Sequence, residues 1–171
     1  MNAYLITSIF LACLVTWSHG RALKTALVHQ SNSELERKKA WNRHLVTNGI
    51  LWLVLFADVL ALQFILPRQD LPPLTRLLGL IMILGGVALV AWTRILLGRD
   101  QAMGNRFYFP HTTRKVLVGP FPFVRNPMYD GFILILVGLG LSLGIYGDLV
   151  LAGVSFLLLN VWLARIENSG L

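Results

Sequence analysis

The sequence predicts an all-α fold, a polytopic membrane bundle of about five transmembrane helices that ends in a helical hairpin. Of its 171 residues, 56% are hydrophobic and only 13% are charged, far from the balance of a soluble globule of this size. The apolar residues fall into long runs, and the basic residues collect in two of the polar segments between them. A formal charge of +7, from 15 Lys and Arg against 8 Asp and Glu, would point to nucleic acid in a soluble protein. Basic clusters between apolar spans instead orient a membrane chain, so no nucleic-acid partner is expected. The chain reads as one integral membrane domain, 1–171: three spans within 1–97, a polar segment at 98–130, and a hairpin with its tail at 131–171.

The first apolar run, Ala3 to Trp17, has no Lys or Arg before it and no small-x-small cleavage site after it. A retained span is expected rather than a signal peptide. Cys13 lies inside this run and is the one cysteine of the chain, so neither an internal disulfide nor a cysteine metal cluster can form. From Ser18 to Arg43 the composition turns polar and basic, with Arg21, Lys24, Arg37, Lys38, Lys39 and Arg43 against Glu34 and Glu36. A cytosolic-type loop with an amphipathic helical part fits that pattern. His19, His29 and His44 lie in or beside it with no cysteine or carboxylate at ligand spacing. They are expected to face the surface or lipid headgroups, and no metal site is expected.

The run Leu45 to Leu66 is long enough to cross a hydrocarbon core of about 30 Å at about 1.5 Å per residue. It carries Asp58, an ionisable group that must face the bundle and pair or lie nearer an interface, with Gln63 further along; a helix-packing role is expected for Asp58, with a place in the acceptor pocket as the alternative. A short turn, Pro67 to Pro73, leads to a third span over about Leu74 to Leu97, where Gly79, Gly85 and Gly86 suggest close helix packing. The second basic segment follows, with Arg94, Arg99, Arg106, Arg114, Lys115 and Arg125. Two apolar arms, Gly131 to Tyr146 and Leu149 to Ala164, are expected to form a hairpin joined at Gly147-Asp148. Gly140 and Gly144 make a GxxxG on the first arm, expected to pack against the second. Lys and Arg then alternate rich, poor, rich and none between spans. That alternation predicts an outside N-terminus, with the second basic segment and the C-terminus in the cytosol.

One stretch cannot be continuous helix. It reads Gly119-Pro120-Phe121-Pro122-Phe123-Val124-Arg125-Asn126-Pro127-Met128-Tyr129-Asp130-Gly131, with three prolines between apolar segments. Irregular backbone near a membrane is tolerated where protein or a water-filled cavity satisfies its polar groups, so this stretch is expected to wall a site at the membrane surface. Its Gly119-Pro120-Phe121, Val124-Arg125-Asn126-Pro127-Met128-Tyr129 and Gly131 resemble the Gly-Pro-Tyr...Val-Arg-His-Pro-x-Tyr-x-Gly signature of the isoprenylcysteine carboxyl methyltransferase and phospholipid methyltransferase group of membrane enzymes. Further on, Arg165-Ile166-Glu167-Asn168-Ser169-Gly170-Leu171 resembles that group's arginine followed by Glu-Glu-x-x-Leu. The resemblance runs from about the third span to Leu171. It departs from the pattern at Phe121, Asn126 and Asn168, where the group usually has tyrosine, histidine and glutamate. Family members usually continue beyond this point through a Phe-Gly...Tyr...Tyr tail.

The resemblance implies methyl transfer from S-adenosyl-L-methionine, with a lipophilic small-molecule or prenylated acceptor arriving from the membrane lipid. Carried over residue by residue, it places Val116, Phe121, Asn126, Pro127, Met128, Tyr129 and Glu167 around the cofactor, and Arg165 on the acceptor side. The residue types suit that use. A cationic sulfonium, a zwitterionic amino acid end and a flat adenine need a carboxylate, a cationic or amide donor and apolar walls. Arg125 and Arg165 are the candidates to steer an anionic acceptor.

The missing motif histidine bears on the acceptor. A carboxylate, with an ordinary pKa near ~4, presents a lone pair at neutral pH without a base, whereas an amine near ~10 requires one. Carboxyl O-methylation is therefore the expectation. Phospholipid or amine N-methylation, with Glu167 as base, is the alternative. Two further readings keep the fold: a nicotinamide-dependent reductase resembling the membrane sterol reductases, and a non-catalytic homologue.

Overall fold

The computed structural model describes residues 3–28, 33–102, 108–109, 116–124, 126–163 and 165. It is helical throughout, with α1 Ala3–Val28, α2 Glu34–Ile65, α3 Pro73–Ala102, α4 Pro127–Leu143 and α5 Tyr146–Phe156. The last runs directly into a π-helical segment, Leu157–Leu163. Among the described residues, three helices are long and apolar enough to cross a membrane, over Ala3–Ala26, Glu34–Ile65 and Pro73–Gly98, while the two arms of the hairpin are shorter apolar helices. Large apolar side chains such as Phe10, Phe64, Leu84 and Ile95 point outward, as lipid-facing surfaces require.

The polar segment 18–43 adds helix to both neighbours. Residues 18–28 continue α1, and 34–43 form the first turns of α2. Ser33 caps α2, its hydroxyl accepting from the Glu36 backbone N–H at 3.4 Å, and Glu34 and Glu36 sit in the first turn, where the helix dipole favours negative charge. Glu34 pairs with Lys38 one turn on.

The closest helix pairing joins α3 to α4. Gly79 and Gly86 on α3 stand seven residues apart, two helical turns, and Gly131 and Gly138 on α4 share that spacing. A Cβ on Gly138 would lie 2.6 Å from the Gly79 carbonyl oxygen, and one on Gly86 would lie 2.6 Å from that of Gly131. The two backbones therefore touch at two levels, the close approach that lets helices associate in lipid. Gly85, between them in sequence, has nothing within 4 Å of its would-be Cβ.

The hairpin turns earlier than the sequence suggested, at Gly144-Ile145 rather than Gly147-Asp148. Gly144 adopts a left-handed conformation (φ +70°) and ends α4, and its carbonyl accepts from the Gln69 N–H at 2.8 Å. Gly140 packs on Leu149 of α5 as expected, but Gly144 is a helix cap and not the second half of a packing motif. Asp148 lies inside the first turn of α5, fully buried. Gln63 of α2 donates to both of its carboxylate oxygens, at 3.2 and 3.1 Å, across 85 positions of sequence, whereas Asp58 is half-buried and its Oδ2 has no hydrogen-bond partner among the described residues.

Two apolar clusters result. One holds Ala12, Val59, Leu62, Ile145 and Leu151, around the end of the bundle where the hairpin turns. The other gathers Leu23, Ala26, Trp41, Tyr108 and Leu159 at the opposite end.

The glycine contacts set a graded test. Gly138→Ala places a methyl against backbone that cannot yield, and it is expected to destabilise by about 1–3 kcal/mol. Gly85→Ala, in open space within a helix, is expected to be neutral or to stabilise by about 0.5–1 kcal/mol. Thermal unfolding of both variants in one detergent checks this, and equal melting temperatures would refute the interlock.

Candidate active site

The irregular stretch folds back on α3. Gly119 adopts φ +70° and lies so close to Trp92 and Leu96 that a side chain there would collide with Leu96. A tight turn follows, in which the N–H groups of Phe123 and Val124 both donate to the Pro120 carbonyl, at 3.0 and 2.9 Å. Pro120 and Pro127 are buried. Pro127 opens α4 at a position where its missing N–H costs nothing and its fixed φ suits the helix.

Asn126 precedes that proline and makes no side-chain capping bond, so its amide is not consumed in starting α4. Its carbonyl accepts from the Asp130 N–H at 3.0 Å. Val116, Phe121, Asn126, Met128 and Tyr129 are half-buried, while Phe123 is exposed. Tyr129 packs on the cluster formed by Leu23, Ala26, Trp41, Tyr108 and Leu159, which draws on α1, α2, the segment before the motif and the π-helical segment.

A second link joins the motif to the last helix. Asn160, within the π-helical segment, donates its side-chain amide to the Asp130 carboxylate. Helical segments with i→i+5 bonding are uncommon and frequently occur at functional sites. Arg165 lies further along the chain, helical and exposed. Arg125 and Glu167 lie outside the described residues.

Several residues at this end were not singled out from the sequence. Tyr108 is buried, its hydroxyl directed at the Ala22 carbonyl at 3.5 Å, and burial pushes its phenol up to about 12. Its ring stands 5.3 Å from Trp41 and 5.4 Å from His44. His44 is itself buried and His19 half-buried, with ring centroids 5.0 Å apart, which corrects the expectation that both face the surface or headgroups. The reason is that α2 begins at Glu34, so His44 sits three turns into a helix packed on α1. Asp130 stood inside the motif without an assigned role, and Asn160 was passed over. An amide in an otherwise apolar arm was the available signal for Asn160, since such a group must find a partner inside the bundle.

These elements make the end of the bundle a chemically mixed place: aromatic walls, the N-terminus of α4, an amide that makes no capping bond there, and a carboxamide bonded to a carboxylate behind it. Comparison with known protein families matches residues 74–171, from the start of α3 to Leu171, to the phospholipid methyltransferase family. Neither the curated proteins nor the solved structures give a match. The family match takes in more than half of the 171 residues and includes the whole of the irregular stretch and the hairpin. The chain thus belongs to the phospholipid methyltransferase family and is a membrane methyltransferase.

Proposed function

We propose that this protein takes its methyl group from S-adenosylmethionine and delivers it to the carboxylate of a lipophilic acid, such as an isoprenylcysteine, at the boundary of membrane and cytosol. The observation that carries the reading is the joining of the motif helix to the last helix, through the Asp130–Asn160 bond and the packing of Tyr129 on the cluster that includes Leu159.

The described residues suit such a donor. Half-buried Val116, Phe121, Met128 and Tyr129 offer apolar and aromatic surface for an adenine. The N-terminus of α4 and the Asn126 amide offer donors to a carboxylate. Glu167 and Arg125 enter this reading through the motif alone. When bound, the donor supplies a methyl on a positively charged sulfur that departs as a neutral thioether. The chain's part is to align the acceptor oxygen with that methyl and to exclude water, with Arg125 or Arg165 steering the anion. The Asn126 amide is not a base and cannot take a proton from the acceptor, which favours an acceptor that is already ionised. The two basic segments support a cytosolic position for this end of the bundle.

The family's description favours a second reading, N-methylation of a phospholipid amine. Presenting purified protein with labelled donor and carboxylate, thiol or amine acceptors separates the two. Methyl esters, formed at a rate that stays flat across pH 6 to 7.5 for an ionised acid, are the expected result. A rate rising through about pH 6.5 would reveal a titrating base and defeat the carboxylate argument. Absence of saturable S-adenosylmethionine binding by isothermal titration would instead favour a non-catalytic homologue.

The Asp130–Asn160 bond supplies an independent test. Asn160→Leu strips the buried-side partner from Asp130 and is expected to cost about 1–3 kcal/mol of stability. It should also weaken donor binding, whereas Asn160→Gln, which keeps the amide, should retain more of both. Donor affinity unchanged in the leucine variant would show that the linkage does not organise the site.

A further inference from the structure

A cavity of about 410 Å³ opens between α1 and α2, and none of the residues proposed to hold the methyl donor lines it. Apart from Tyr108, its walls come from residues 17–48, outside the range matched to the family. Arg21, Arg37 and Arg43 line it, with Glu36 as the opposing carboxylate, so three guanidinium charges meet one negative charge. Two of the guanidiniums lie over aromatic rings, Arg21 at 5.3 Å from the Trp17 centroid and Arg37 at 5.9 Å from that of Phe109.

Asn48 gives the cavity a second feature. It is only 6% exposed, and its Nδ2 donates to His44 Nδ1 at 3.0 Å and to the His44 carbonyl at 3.1 Å. Its Oδ1, also buried, has no hydrogen-bond partner among the described residues. Buried amide oxygens are normally satisfied, so this one asks for a donor from whatever fills the space. The level of the cavity narrows the choice. It spans the point where the apolar run of α1 ends at Trp17 and that of α2 begins at Leu45, which is headgroup depth in a bilayer.

We propose that this cavity holds the headgroup of an anionic phospholipid, with the phosphate among Arg21, Arg37 and Arg43 and a headgroup hydroxyl donating to Asn48 Oδ1. Guanidinium forks match phosphate oxygens in a way that a point charge does not. The excess of two positive charges favours a net-negative headgroup over a zwitterion, and Glu36 accepts a further hydroxyl. The volume falls within the range of small-molecule sites. The site is separate from methyl transfer and does not depend on which acceptor is methylated.

The test uses the full chain in detergent, with native mass spectrometry against three probes: phosphatidylglycerol, phosphatidylcholine and free glycerol phosphate. Phosphatidylglycerol is expected to be retained at least about tenfold more tightly than phosphatidylcholine, and the double variant R21Q/R43Q, altered at exposed positions, to lose about tenfold of that affinity. Donor binding by the double variant should be unchanged, which keeps this outcome distinct from any failure of the catalytic reading. Asn48→Leu, which removes the oxygen that would accept from the headgroup hydroxyl, should also reduce retention, with the melting temperature reporting that the variant is folded. Equal retention of the two lipids, or no loss in R21Q/R43Q, overturns the proposal. Glycerol phosphate bound as tightly as phosphatidylglycerol would assign the cavity to a soluble phosphate compound and overturn the lipid.

Discussion

Backbone contact between α3 and α4 is the constraint on which the rest depends. Within lipid there is little hydrophobic force to draw one apolar helix onto another, so association relies on close van der Waals packing. Gly79 and Gly86 against Gly138 and Gly131 supply it at two levels, two turns apart. The same contact fixes where α4 begins, because Gly131 lies in its second turn and Pro127 at its start. The turn at Gly119 is seated on Trp92 and Leu96 of α3, beyond the last glycine contact. The irregular stretch is thus pinned on one side by α3 and on the other by the helix it starts.

The remaining helices close that arrangement. At one end the hairpin is anchored by Asp148 and Gln63, a buried carboxylate whose two oxygens both accept from the Gln63 amide nitrogen. At the other end a part-buried bond from the Asn160 amide to the Asp130 carboxylate ties α4 to the π-helical segment. Trp52 and Phe56 of α2 meet Phe132 of α4 at 5.6 and 5.4 Å, bringing the early helices onto the half of the chain that carries the motif. The ring cluster of Trp41, His44 and Tyr108 then lies between the motif and the cavity of α1 and α2.

Much of this was legible in the sequence, and the unread parts have physical reasons. Apolar run length located α2 and α3, and three prolines marked the stretch that could not be helix. The kink within α3 was also readable, for Gly98 (φ 72°) interrupts the helix one residue past the predicted Leu97. Partners were harder. Gly79 and Gly86 announce close packing but not against which helix, since a missing side chain carries no complementarity to read. Gly147-Asp148 has the composition of a turn, yet Asp148 is held in a helix by an amide 85 residues away. His44 looked like a surface residue because the polar composition around it masked a helix long enough to carry it inward. The motif positions themselves came from family resemblance. Spacing alone would not have distinguished Asn126, at the helix start with an unspent amide, from an ordinary cap.

The π-helical segment has a consequence for how the last arm evolves. A wider turn is what an α-helix forms when one residue is inserted without unravelling its neighbours. Each residue added or removed there rotates everything downstream by about 100° around the axis. Length changes between Leu157 and Leu163 would therefore swing Arg165 to a new bearing while α4 and its glycine seam stay in register. Such a helix acts as a dial: indels within seven residues re-aim Arg165, with the rest of the scaffold undisturbed.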